Sequence, residues 1–119
     1  MKNKKLKTIL LWILQILLAL LFLAAGSGKF LAGEVWQQKF HDWGYPNNFY
    51  LIIGAVETIA AILLLIPKFT RYAAMLLVVV MLGAAMTHLF NNQAPELIRP
   101  GIFLVFLSTL IYFRKEKAA

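Results

Sequence analysis

The stretch TILLWILQILLALLFLAA, residues 8–25, decides the fold: it is eighteen residues long and carries no charge. A helix rises about 1.5 Å per residue, so about 20 apolar residues cross a hydrocarbon core of roughly 30 Å. Three further apolar runs follow. Phe49 to Ile66 is interrupted by one charge, Glu57; Tyr72 to Phe90 has only His88 able to ionise; and the last run ends at Phe113, with Arg99 near its start. None alternates in the manner of a membrane strand. Gly44-Tyr45-Pro46, Pro67, Asn91-Asn92 and Pro95 punctuate them, and Pro100 fits the first turn of a helix, where its missing N–H costs little. The expected spans are 8–27, 49–66, 71–90 and 97–113.

Composition agrees. Of the 119 residues, 61% are hydrophobic and 14% charged, against roughly 45–50% and about 25% in a soluble domain. Mean hydropathy is +0.76. A chain this small lacks the polar residues to cover a water-facing surface. Disordered, ordinary nucleic-acid-binding and disulfide-scaffold classes are excluded. Cysteine is absent, which removes thiol and iron–sulfur chemistry. The net charge of +7 sits in short clusters beside apolar runs, a pattern that suits anionic lipid headgroups.

Lys2, Lys4, Lys5 and Lys7 precede the first run and resemble a signal-peptide n-region, but the apolar stretch exceeds the usual length of roughly 7–15 residues. It reads as a retained helix. Lys68 and Arg71 lie between the second and third runs; Arg114, Lys115 and Lys117 close the chain. The positive-inside rule puts these segments and both termini in the cytoplasm, with a bacterial cytoplasmic membrane as the expected location. Between the first and second runs, residues 34–43 can form an amphipathic interfacial helix with Trp36, Phe40 and Trp43 on one side. It can anchor at the interface or act as a lid.

The expected fold is therefore all-α: a single integral membrane four-helix bundle with an amphipathic segment between helices one and two. Its inward stripes are Gln15, Ala19, Phe22, Gly26 and Lys29; Tyr50, Gly54, Glu57 and Ala61; Met81, Ala84 or Ala85, and His88; and Gly101, Val105, Ser108 and Tyr112.

Glu57 is the costly residue. A central acidic side chain in a span costs about 2.5–3.5 kcal/mol, so it faces inward and has a partner or a function. Lys29, His88 and Arg99 are expected at the outer ends of their helices, above it. This predicts a pocket opening to the outer leaflet. A haem held by His41 and His88 is disfavoured because no second histidine pair exists, and no spacing suggests a metal.

Ala25-Gly26-x-x-Lys29-Phe30, Phe40-x-x-Trp43-Gly44-Tyr45-Pro46, Gly54-x-x-Glu57, Leu65-x-Pro67 and Met81-x-x-Ala84-x-x-x-His88 together resemble the DoxX and DoxX-like family over about residues 9–113. The resemblance implies a four-span bundle with Lys29, Glu57 and His88 as characteristic polar positions. The family name comes from a subunit of a terminal quinol oxidase. Relatives are linked to thiosulfate:quinone oxidoreductases, and similar proteins include a receptor-assembly chaperone and an endoplasmic reticulum cargo receptor.

Two function classes follow. In the first, the chain is a subunit of a quinone-linked oxidoreductase system. Glu57, His88 and Lys29 act on quinone or quinol, while Trp43, Tyr45, Arg99, Met81 and Gly26 line the ligand site. In the second, it is a non-catalytic membrane chaperone that holds a partner protein. Candidate partners are the lipid bilayer, a redox subunit and a second copy of the chain; nucleic acid is not among them.

Overall fold

The computed structural model describes the backbone of residues 2–118 and the side chains of residues 3–114. Lys2, Lys115 and Lys117, used in the charge count, have side chains outside that range. The described residues form five α-helices and no strand: α1 (Lys2–Leu31), α2 (Gly33–Asp42), α3 (Phe49–Leu64), α4 (Thr70–Phe90) and α5 (Ile98–Ala118), with a 3-10 turn at Ala94–Leu97 before α5. The long helices fall on the apolar runs. The first is longer than expected: its 30 residues span about 45 Å. It continues through Lys29, and only Ala32 separates it from α2.

The four long helices pack in a ring: α1 against α3, α3 against α4, α4 against α5, and α5 back against α1. Within the ring, Leu18, Phe22, Ala60, Leu64, Ala74, Leu77, Leu107 and Leu110 are almost wholly buried. The outer surface is greasy. Ile9, Leu20, Ile52, Val79 and Val105 are each more than half exposed. A soluble monomer rarely presents so much contiguous apolar surface, whereas hydrocarbon accepts it. Three segments, Asn3–Leu31, Thr70–Phe90 and Ala94–Arg114, are long and apolar enough to cross a membrane; α3, with 16 residues, is shorter.

All five residues of the α1 stripe are buried, as are Tyr50, Gly54, Glu57 and Ala61 of α3. The α5 stripe is different. Val105 and Tyr112 are 64% and 61% exposed, Ser108 is exposed and Gly101 half-buried. The inward face is instead Leu107, Leu110 and Arg114. Here α5 is apolar around most of its circumference, so small residues do not select a face. Ala73 and Ala74 of α4 and the leucines of α5 belong to the same buried core.

A buried polar network closes the basic end of the ring. The Gln15 amide donates to the Leu64 carbonyl (2.6 Å) and to Thr70 Oγ1 (3.0 Å), and its oxygen accepts from Arg114 Nε (3.0 Å). The Thr70 hydroxyl also reaches the Leu64 carbonyl (2.8 Å). This ties α1, the α3–α4 link and α5 together, and satisfies a carbonyl left over where α3 ends.

Candidate functional site

The site begins with two glycines. The pairing of Gln15 with Leu64 and of Gly26 with Gly54 makes α1 and α3 antiparallel. A Cβ on Gly26 would sit 2.7 Å from the Gly54 carbonyl oxygen and 2.7 Å from the Thr58 backbone nitrogen; one on Gly54 would sit 3.0 Å from Lys29 Cβ. Only hydrogen fits at this crossing. Lys29 lies three residues after Gly26, and Glu57 three after Gly54. Cα–Cβ bonds tilt toward each helix's N-terminus, so in an antiparallel pair these two side chains lean toward each other. Lys29 Nζ meets Glu57 Oε1 at 2.6 Å, with the two side chains 7% and 4% exposed. The approach is off line: Oε1 makes no aligned hydrogen bond within the described residues. Coulomb attraction holds the pair.

Above the pair lies α2. Lys29 Nζ sits 4.3 Å from the Trp36 ring centroid, and Lys39 Nζ sits 4.7 Å from it. Phe40 is the buried hub, with the rings of Trp36, Trp43, Tyr45, Phe49 and Tyr50 at 5.4–6.4 Å. The expected amphipathic helix is thus real, and its aromatic side packs onto the ends of the long helices.

Two helix ends of the same kind lock this cap. Gly44 (φ +92°) and Asn92 (φ +57°) adopt the left-handed conformation just past α2 and α4. Each sends the next backbone N–H back into its helix, Tyr45 to the Phe40 carbonyl (2.9 Å) and Gln93 to the His88 carbonyl (2.8 Å). Tyr45 therefore folds over Phe40, and Gln93 folds over His88. The indole of Trp43 donates to Gln93 Oε1 at 3.2 Å, and His88 Nδ1 lies 2.8 Å from the same oxygen. An indole N–H only donates, so the shared atom is the oxygen and His88 Nδ1 carries the proton. A neutral His88 then presents Nε2 as an acceptor. The Thr87 hydroxyl donates to the Gly83 carbonyl (2.8 Å). Tyr45, hydrogen-bonded to Thr87 Oγ1, is therefore the donor of that pair.

The structure thus joins Lys29 with Glu57, and separately joins Trp43, Tyr45 and His88 into a latch beside them. Gly26 forms the crossing. Met81 lies in the hydrophobic core at 7% exposure. Arg99 is exposed at the start of α5 and joins neither group among the described residues. Gln93 and Thr87 were missed by sequence reasoning. The Asn91-Asn92-Gln93 run reads as a break, yet an asparagine just past a helix end is a signal for the left-handed turn that returns Gln93 to His88. Two surface grooves lie elsewhere, one between α1 and α5 at the basic end, the other on the outer side of α2. No group of three or more metal-ligating side chains occurs among the described residues.

The DoxX-like family model matches residues 13–110, a range that includes the crossing, the ion pair and the latch. The chain belongs to the DoxX-like family. No curated protein and no solved structure matches it. For this DoxX-like protein, family membership and its long apolar helices together indicate an integral membrane protein.

The latch gives a direct test. Gln93→Leu removes the acceptor shared by Trp43 and His88. The expected cost is about 1–3 kcal/mol, the range for stranding buried or half-buried donors. It should be local: amide exchange in α2 accelerates and Trp43 emission shifts to the red, while exchange in α1 and α4 is unchanged.

Proposed function

We propose that the protein is a four-span membrane subunit of a quinone-linked oxidoreductase system, with both termini in the cytoplasm of a bacterial cell. It binds a quinol-like lipophilic ring at the Lys29–Glu57 pair, with α2 as the lid. The observation that carries this reading is an ion pair shielded from water and lipid beneath aromatic rings, in which Glu57 Oε1 makes no aligned hydrogen bond within the described residues. A ring hydroxyl matches that acceptor, and Trp43 and Tyr45 supply aromatic faces to cap the ring. His88 Nε2 is a second acceptor, oriented through Gln93. Entry requires α2 to lift, which breaks the Trp43–Gln93 and Tyr45–Thr87 bonds. A bound quinone supplies two-electron, two-proton chemistry; the chain's own residues hold oxygens and protons and exclude water.

The test is quinone co-extracted with the protein in detergent, followed by titration with a quinone analogue. Glu57→Gln is expected to weaken binding about 10- to 100-fold, the worth of a hydrogen bond to a charged group. Equal, weak binding by the parent and the variant defeats the reading.

A second reading, a non-catalytic membrane chaperone, is favoured by one observation: Lys29 and Glu57 neutralise each other in a closed site. A protein partner trapped by crosslinking in native membranes, with no quinone retained, supports this alternative.

A further inference from the structure

A groove of about 330 Å³ runs between the first turns of α1 and the last turns of α5. Its long wall is Leu6, Leu10 and Leu14, with Thr109 and Phe113 on the α5 side, and Asn3 and Lys7 sit toward the α1 start. Lys7 Nζ stands 4.6 Å from the Phe113 ring centroid. A narrow apolar trough with a cation at one end has the chemistry of a lipid: chain below, phosphate above.

Charge balance at this end points the same way. Lys4, Lys5, Lys7, Lys68, Arg71 and Arg114 gather here. Glu34, Asp42, Glu57 and Glu96 lie in or toward the other half, and the Glu116 side chain is outside the described range. Outside the groove itself, Arg114 is 5% exposed, yet among the described residues its Nη2 and the Nε of Arg71 have no hydrogen-bond partner. A buried donor without an acceptor is rare and marks a missing partner. Among the described residues, this end contains no carboxylate to supply the counter-charge.

From the groove and the unmatched charge we infer that this end holds one anionic glycerophospholipid. Its acyl chain lies along Leu6, Leu10 and Leu14, and its phosphate sits at Lys7 and Asn3. The inference rests on the membrane reading and is independent of any ligand at Glu57.

The full chain in detergent is mixed with phosphatidylglycerol or phosphatidylcholine, and retained lipid is read by native mass spectrometry. Phosphatidylglycerol is retained preferentially. Lys7→Gln weakens retention about fivefold, the effect of one lysine at an anionic surface. Lys39→Gln, at the opposite end, does not. Thr109→Phe fills the groove and removes retained lipid without lowering the lipid-free melting temperature. Inorganic phosphate alone neither displaces the lipid nor raises that temperature. Equal retention of both lipids overturns the inference, as does an equal loss in Lys7→Gln and Lys39→Gln. A Leu10→Cys crosslinked dimer that retains no lipid also overturns it, since a second copy then fills the groove. Glu57→Gln keeps lipid retention whatever its effect on quinone, so the two readings fail separately. A chain that stays monodisperse in detergent-free buffer sinks the membrane reading itself.

Discussion

Glu57→Leu is expected to destabilise the protein by about 3–5 kcal/mol, the cost of removing one partner from a buried ion pair. The substitution leaves the Lys29 ammonium without its counter-charge at 6% exposure. The Trp36 ring 4.3 Å away stays in place, but a cation–π contact is worth only about 0.5–2 kcal/mol. The double variant Lys29→Met/Glu57→Leu is expected to regain most of the loss. Replacing a whole buried pair with apolar groups of similar volume is often neutral or stabilising. Unfolding of both variants by denaturing detergent in mixed micelles measures the coupling. A double variant as unstable as the single one shows that the pair is not coupled. The same variants bear on function: the double variant is expected to fold but to retain no quinone analogue.

Gly26→Ala is expected to cost about 1–3 kcal/mol, the usual range for overpacking. The added methyl would lie 2.7 Å from a backbone oxygen of α3 and 2.7 Å from a backbone nitrogen. Neither can swing aside as a side chain could, so the helices must separate. Separation also lengthens the Lys29–Glu57 contact one turn away. Gly28→Ala and Gly83→Ala are the controls. A Cβ at either meets nothing within 4 Å, so the gain in helix propensity, about 0.5–1 kcal/mol, should appear as higher stability. Opposite signs at Gly26 and Gly28, two residues apart, distinguish a crossing defect from a general effect on α1. A neutral Gly26→Ala means that α1 and α3 do not cross there.

Much of this arrangement was legible in the residues. Few polar residues punctuate α1 and α3, so each polar residue carries information. Gln15, Lys29 and Glu57 had to point inward because hydrocarbon penalises the alternative, and Gly26 and Gly54 lie on the same faces. The periodicity of Trp36, Phe40 and Trp43 likewise announced an amphipathic helix before α3.

The sequence alone determined that the chain is helical, that its solvent is lipid, and which sides of α1 and α3 turn inward. A charge in an apolar run leaves few ways to be accommodated, so local chemistry suffices there. Tertiary structure alone decided the rotation of α5, whose largely apolar circumference offers no energetic preference until it packs against α4 and α1. It also decided the latch and the Gln15–Arg114 network. Gln93 reaches His88 only through a left-handed turn, and Arg114 reaches Gln15 across 99 residues of chain. Both depend on the whole ring closing, which hydrophobic periodicity within a single helix does not encode.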